Sequence, residues 1–293
     1  MNSSNLLAIL LLLLLLTPSR SQSCKRSCGA FPIHYPFGTG PGCGSPAFHP
    51  HVACDEGRNL LLFTTRTGSY PVQSIDYANQ VLYVQDPSLS TCSSAGPSPG
   101  FSLDWDAPFS FRDGDVFALL GCPPSLSSSS PNSTLCDAAN APICTLLYSC
   151  PAVARLGSPV SACCVYAPAS LGPSYEMDLG KLRCAAYSAI YSFNGAEGDP
   201  ERWKFGIALR YRFSVDDGYP SACADCERTD GACGYAAGRS NSFVCNCGNG
   251  VNTTTNCYYA RWNVDSDGQS LPPPLSIGFK LIFSWWVMAW ILL

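Results

Sequence analysis

The sequence predicts a mostly β, small disulfide-rich fold: two cysteine-rich modules built from antiparallel strands and long loops. Three observations carry this. Eighteen cysteines, an even number, accompany 25 glycines and 24 prolines. The apolar runs are short, rich in aromatic and β-branched residues, and bounded by turn formers. Residues 1–21 read as a secretory signal peptide, with an almost unbroken leucine run from Leu6 to Leu16 and small residues around Ser19-Arg20-Ser21.

The signal peptide sets the redox compartment. In a secreted chain the cysteines are expected in disulfides and not in thiolate metal sites. They are Cys24, Cys28, Cys43, Cys54, Cys92, Cys122, Cys136, Cys144, Cys150, Cys163, Cys164, Cys184, Cys223, Cys226, Cys233, Cys245, Cys247 and Cys257. The sequence leaves their connectivity open. Each bridge adds about 3 kcal/mol by restricting the unfolded chain, enough to hold domains with thin cores. A net charge of −4, without any basic run, argues against nucleic acid as a partner. Charged residues make up only 13% and mean hydropathy is near zero, as for an ordered protein.

The first module is expected over residues 22–92. Between Cys24 and Cys54, Pro32, Pro36 and Pro41 leave no room for a regular helix. Gly38, Gly40, Gly42 and Gly44 permit positive-φ turns. Arg58–Arg66, Val72–Tyr77 and Val81–Val84 read as antiparallel strands, the last two joined by Ala78-Asn79-Gln80. Cys92 is expected to tie this sheet back to earlier sequence. The Ser/Pro/Gly-rich start of 93–108 reads as a linker.

The second module is expected over 109–260. Phe109–Arg112 and Val116–Leu120 flank Asp113-Gly114, a hairpin signal. Adjacent Cys163 and Cys164 cannot easily bond each other, so they must hold two different partners. Leu179–Tyr191 shows weak helical spacing through Leu182, Ala185, Ala186 and Ala189. In Trp203–Phe213, Phe205, Ile207, Leu209, Tyr211 and Phe213 alternate onto one face, which predicts a half-buried strand. Asn132 and Asn252 head N-glycosylation sequons.

The C-terminus comprises a polar, proline-rich stalk over 261–276 and an apolar run over 277–293. Small residues from Ser266, a polar spacer and a terminal apolar tail have the order of a GPI signal, with Ser266 as the attachment candidate. A transmembrane helix is the competing reading, with Lys280 inside the run and no following Lys or Arg. Either reading places the chain on the outer face of the plasma membrane.

Two sets of motifs resemble one family. Cys24-x3-Cys28-Gly29, Ile33-x-Tyr35-Pro36-Phe37-Gly38 and Cys43-Gly44 resemble the galacturonan-binding N-terminal module of plant wall-associated receptor kinases, through Cys54 and on to about Cys92. Cys223-x2-Cys226, Cys233-Gly234, Phe243-x-Cys245-x-Cys247 and Cys257 resemble that family's C-terminal cysteine-rich domain. The Gly-Phe-x-Leu-x-Trp strand that precedes that signature in the family reads Gly206-Ile207-x-Leu209-x-Tyr211 here. The resemblance implies an ectodomain that binds pectin or oligogalacturonide, and the kinase motifs are absent from this sequence.

Catalysis is not expected. Gly38–Gly44 has no following Lys-Ser/Thr, so its glycines read as turn glycines. Cys223-x2-Cys226 with Cys245-x-Cys247 lacks a histidine for a zinc site. His34, His49 and His51 accompany no nucleophile elbow or metalloprotease motif. No metal or cofactor is expected, calcium entering only as a bridge between pectate chains.

For glycan binding the candidates are His34, Tyr35 and Phe37, with Lys25, Arg26, Arg58 and Arg66 for uronate carboxylates. Residues 22–92 hold four Lys/Arg against four Asp/Glu (Asp55, Glu56, Asp76 and Asp86), so charge alone does not make this a polyanion trap. Tyr35 and Phe37 could equally fill a small core. The alternative function is a protein-interaction ectodomain, a co-receptor or decoy for a membrane receptor kinase.

Overall fold

The computed structural model describes residues 24–126, 135–137, 139, 141–171, 177–212, 219–236, 242–248 and 251–258. The expected signal peptide, Asn132, Phe213, the stalk with Ser266 and the apolar tail lie outside them. Strands dominate, and all 18 cysteines pair in nine disulfides.

The described residues open on a small hairpin, β1 (Ser27–Cys28) and β2 (Phe31–Pro32). A meander follows: β3 (Val52–Asp55), β4 (Leu60–Thr65), β5 (Gly68–Asp76) and β6 (Val81–Val84), each antiparallel to the last. Leu61, Phe63 and Thr65 alternate inward along β4 as period-2 geometry requires. The β5–β6 turn is held by Asp76, whose carboxylate accepts from the Asn79 backbone N–H at 3.0 Å and side-chain Nδ2 at 2.7 Å.

Next come β7 (Phe109–Phe111), β8 (Val116–Leu120), β9 (Cys164–Tyr166), β10 (Ala186–Ser192), β11 (Lys204–Phe205) and β12 (Ile207–Tyr211). They form two sheets, ordered β3-β4-β5-β6-β12-β7 and β11-β10-β8-β9. The expected Asp113-Gly114 turn is present, with Gly114 at φ +88°, but its flanking strands do not form a hairpin. β7 pairs with β12, and β8 pairs with β9 and β10, so the turn passes the chain from one sheet to the other.

The expected Trp203–Phe213 strand makes the same crossing. It breaks at Gly206 (φ +142°), leaving β11 on β10 and β12 between β6 and β7. A Cβ at Gly206 would sit 3.1 Å from the Val84 carbonyl and 3.2 Å from the Tyr191 ring, so the crossing needs glycine.

Strand pairing therefore joins residues on both sides of 93–108. That segment, expected as a linker, adds Phe101 and Leu103 to the core, both fully buried. A linker reading follows its Ser/Pro/Gly start; the apolar pair beyond it overrides that composition. Cys92 reaches forward to Cys150 and not back, while Cys163 and Cys164 hold Cys144 and Cys136 respectively. Only Leu179–Leu182 of the expected helical segment is helical, capped by Asp178. Ala186–Ser192 is strand because it lies between β8 and β11 with Ala186–Ile190 buried on both faces, which erases the alternation that marks a strand.

The central core is aromatic. Edge-to-face contacts run from Phe37 to Phe48 (5.8 Å), Phe48 to Phe109 (5.4 Å) and Phe109 to Phe63 (5.0 Å), and beyond them Phe111 to Phe117 (5.4 Å). A second core under β8 and β10 includes Leu147, Val153, Ile190 and Trp203, with helix Ala141–Ser149 packed on it.

The C-terminal unit has helix Tyr219–Arg228 and the sheet β13 (Ala232–Tyr235), β14 (Phe243–Asn246) and β15 (Asn252–Thr253). Its interior is sulfur: Cys226, Cys245 and Cys257 are buried, with Phe243 and Cys247 packed against them. No helix among the described residues is long and apolar enough to cross a membrane.

Candidate functional site

The N-terminal loop is fixed by Cys24–Cys43 and Cys28–Cys54, and it docks onto the C-terminal unit. The Gly44 N–H donates to the Cys233 carbonyl and the Tyr235 N–H to the Gly42 carbonyl, both at 2.8 Å. Of the loop glycines expected to take positive φ, Gly42 (+80°) and Gly44 (+67°) do so. A Cβ on Gly234 would lie 2.3 Å from the Gly42 carbonyl, so the two chain passes meet only because this position is glycine.

Side chains reinforce the seam. Glu227, on the helix, accepts the Tyr35 N–H at 2.8 Å, and its second oxygen lies 3.1 Å from His34 Nδ1. Arg26 pairs with Asp230 at 3.0 Å. Asn246 Nδ2 reaches Cys24 Sγ at 3.3 Å. Behind the loop, the Tyr77 hydroxyl accepts from the His34 N–H and donates to the Pro32 carbonyl, both at 3.1 Å, and burial pushes its phenol up to about 12.

The seven glycan-binding candidates are not one cluster. Lys25 pairs with Glu56 at 2.6 Å, and Arg58 pairs with Asp55 at 2.7 Å. Hydrogen bonds from Arg58 hold the Asp55 carboxyl below its usual range. With Arg26 on Asp230, three of the four candidate cations already have carboxylate partners. These pairs are exposed and each is worth only about 0–1 kcal/mol, so an anionic ligand could exchange into them. The His34 ring and the Tyr35 backbone N–H are both held by Glu227. Phe37 is a correction: at 2% exposure, against Phe48, Tyr77 and Tyr211, its ring offers no face to an external sugar.

Arg66 lies elsewhere, its backbone N–H donating to Asp104 at 3.2 Å. That contact leads to a surface the motif reading missed. Asp104–Ala107 is a tight turn closed by the Ala107 N–H on the Asp104 carbonyl at 3.1 Å, and it carries Trp105 at 78% exposure. Just beyond it a cavity of about 430 Å³ opens along β7, lined by Ala107, Phe109–Phe111, Asp113, Ala169 and two arginines of β12 and its end, Arg210 and Arg212. The alternation that predicts Leu209 and Tyr211 inward also predicts these arginines outward; the exposed indole had no such signal.

Cys226, Cys245 and Cys257 bring their sulfurs within 4.8 Å of one another. They belong to the bridges Cys226–Cys245 and Cys247–Cys257, and disulfide sulfur is no thiolate ligand.

Comparison with known proteins places both ends of the chain. The family described as "Wall-associated receptor kinase galacturonan-binding" matches residues 24–86, and "Wall-associated receptor kinase C-terminal" matches residues 178–250. The chain is 27% identical over 179 residues to wall-associated receptor kinase-like 20 of Arabidopsis thaliana, covering 57% of this chain and 25% of that protein. It is 27% identical over 132 residues to wall-associated receptor kinase-like 10 of the same plant, covering 41% of this chain and 17% of that one. A sequence named as a RING-H2 finger protein, also from Arabidopsis thaliana, is 31% identical over 113 residues, or 36% of this chain and 26% of that protein. The chain thus spans about a quarter or less of each of these relatives. No solved structure matches it. The chain thus carries two segments similar to modules of wall-associated receptor kinases, and they dock on each other along the Gly42–Tyr235 seam.

Proposed function

We propose that this chain binds galacturonan chains of pectin at the outer cell surface and performs no chemistry on them. The observation that carries the reading is the match of residues 24–86 to the galacturonan-binding family. Nine disulfides suit an oxidising, extracellular setting. Asn252 is exposed at the head of β15, where its sequon can take a glycan. Calcium enters only as a bridge between pectate chains. Attachment to the plasma membrane through the C-terminus, by a lipid at Ser266 or by the apolar run, completes the reading.

Binding of the secreted full chain to oligogalacturonides, at low salt and with or without calcium, tests the function. Absence of binding under all these conditions removes it. Release from membranes by phospholipase C tests the anchor, because a lipid-linked chain is shed and a spanning one is retained.

One observation favours a second reading, a protein-interaction ectodomain beside a receptor kinase. The pairing of Lys25, Arg26 and Arg58 with Glu56, Asp230 and Asp55 leaves the N-terminal loop close to neutral. A stoichiometric receptor crosslink that survives pectinase treatment supports this second reading over the first.

A further inference from the structure

We propose that the outer face of the β7–β12 edge, with the Trp105 turn beside it, is a site for an acidic sugar chain. Arg210 and Arg212 would take carboxylates, and the indole would take a sugar face. The proposal rests on the galacturonan reading above and places the contact away from the N-terminal loop, outside the residues matched to the galacturonan-binding family.

The geometry supplies each element such a ligand needs. Along β12, Leu209 and Tyr211 are buried, so Arg210 and Arg212 share the outer face, two residues apart, which on a strand is about 7 Å. Two arginines projecting from strand positions at that spacing suit carboxylates repeated along a chain better than one small anion, and each can grip bidentately. β7 is an end strand of its sheet, and the cavity of about 430 Å³ runs along it. Asp113 is the one carboxylate among the described lining residues, so the cavity is net cationic. Its contact with Arg210 is 3.4 Å long, with Asp113 79% exposed, and a pair so open to solvent yields readily to a ligand carboxylate.

Trp105 completes the surface. Two residues before Ala107, its Cα lies within about 7 Å of the cavity's first residue. The turn is anchored by fully buried Leu103 on one side and by Phe109 on the other. The Asp104 carboxylate fixes it from below, accepting the Arg66 N–H at 3.2 Å and lying 3.8 Å from His51 Nδ1. A 78%-exposed indole on the turn that leads into the arginine-lined cavity supplies a flat apolar face to go with the cations, the two demands of a uronic acid ring. An acidic peptide would use the arginines but has no general need of that face.

The test uses the secreted full chain and titration calorimetry with oligogalacturonide, a neutral oligosaccharide and poly-glutamate. Trp105→Ala and the double substitution Arg210→Gln/Arg212→Gln should each weaken oligogalacturonide binding by about tenfold or more, whereas Lys25→Gln/Arg26→Gln should stay within about threefold. Trp105→Phe should recover most of the loss, and the thermal transition should stay in place because these side chains are exposed. Oligogalacturonide binding by the parent chain that is unchanged in the Trp105 and arginine variants overturns the location and leaves the function standing. Parent binding to poly-glutamate as tight as to oligogalacturonide overturns the sugar assignment in favour of a peptide. No parent binding to oligogalacturonide removes the function and the location together.

Discussion

Around Phe109 the interior of this molecule is carbon; around Cys245 it is sulfur. The central sheets bury ring against ring, with Phe48, Phe63 and Tyr211 about Phe109. The C-terminal unit has Cys226, Cys245 and Cys257 where such rings would stand, and position 231 must be glycine because a Cβ there would meet all three sulfurs within 2.7 Å. Size accounts for the contrast. A unit spanning roughly residues 219–258 cannot remove enough apolar surface from water to offset its chain entropy, and covalent crosslinks make up the difference. The central region is large enough to bury many rings as well as sulfur: Cys28, Cys122, Cys164 and Cys184 lie in the same core as Phe109, beside far more aromatic and aliphatic carbon.

The contrast can be broken most directly at Phe109. Phe109→Ala should destabilise the central region by about 3–5 kcal/mol, the range for an aromatic removed from a packed core. Denaturant unfolding followed by near-UV circular dichroism measures it. A loss under about 1 kcal/mol would mean that the bridges, and not the rings, hold the sheets.

The central region also carries a buried carboxylate. Asp115, 1% exposed, accepts from Arg112 at 3.1 and 3.2 Å and from the Ala208 N–H at 3.1 Å, where the chain crosses between sheets. Burial raises its carboxyl to about 7, against the opposing pull of Arg112. The folded state therefore keeps this proton at pH values where the unfolded chain has released it. Stability should fall as pH rises from about 4 to about 7 and then level off, by up to about 4 kcal/mol. Asp115→Asn should flatten that slope while lowering stability at every pH, since an amide NH2 can be set against the Ala208 N–H. Unfolding followed at several pH values checks the slope and its loss in the variant.

The sulfur core is tested by Cys226→Ala/Cys245→Ala, which opens a 19-residue loop and should cost about 3 kcal/mol. The loss should be confined to the C-terminal unit, read as fast hydrogen exchange over 219–257 with the central sheets still protected. A smaller change suffices at the seam. Gly234→Ala places a methyl group against the Gly42 carbonyl and should cost about 1–3 kcal/mol. Exchange at the Gly44 and Tyr235 amides would report the seam opening before either region unfolds.

Legibility followed locality. Runs of strand formers exposed β4, β5 and β6, period-2 patterning exposed the inward face of β12, and neighbouring Cys163 and Cys164 required separate partners. Partners distant in sequence stayed hidden. Nothing local says that Asp113-Gly114 sends its flanking strands to different sheets, or that Gly206 splits a continuous alternation between two. The segment 93–108 opens with linker composition yet ends in Phe101 and Leu103, whose burial depends on surfaces supplied from elsewhere in the chain. At the site, Lys25, Arg26 and Arg58 were visible as cations, but Glu56, Asp230 and Asp55 were not visible as their partners. Phe37 was visible as an aromatic and only the fold assigns it to the core.

The smallest expected effect separates the two faces of the molecule most cleanly. Lys25 and Glu56 meet at 2.6 Å with more than half of each side chain exposed, so Glu56→Gln should shift Tm by no more than about 2 °C. The substitution leaves Lys25 without that carboxylate and makes the N-terminal loop more positive by one charge. If the loop held the acidic chain, affinity for oligogalacturonide should rise severalfold and the gain should shrink with salt, because Lys25 would no longer have to leave Glu56 to reach a uronate. With the chain held at Arg210, Arg212 and Trp105, the only effect is a weak change in the overall field, screened within about 8 Å at physiological ionic strength. An affinity unchanged at that salt is the expected result. A gain of about tenfold would put the ligand against Lys25 and return the binding face to the loop that the family match covers.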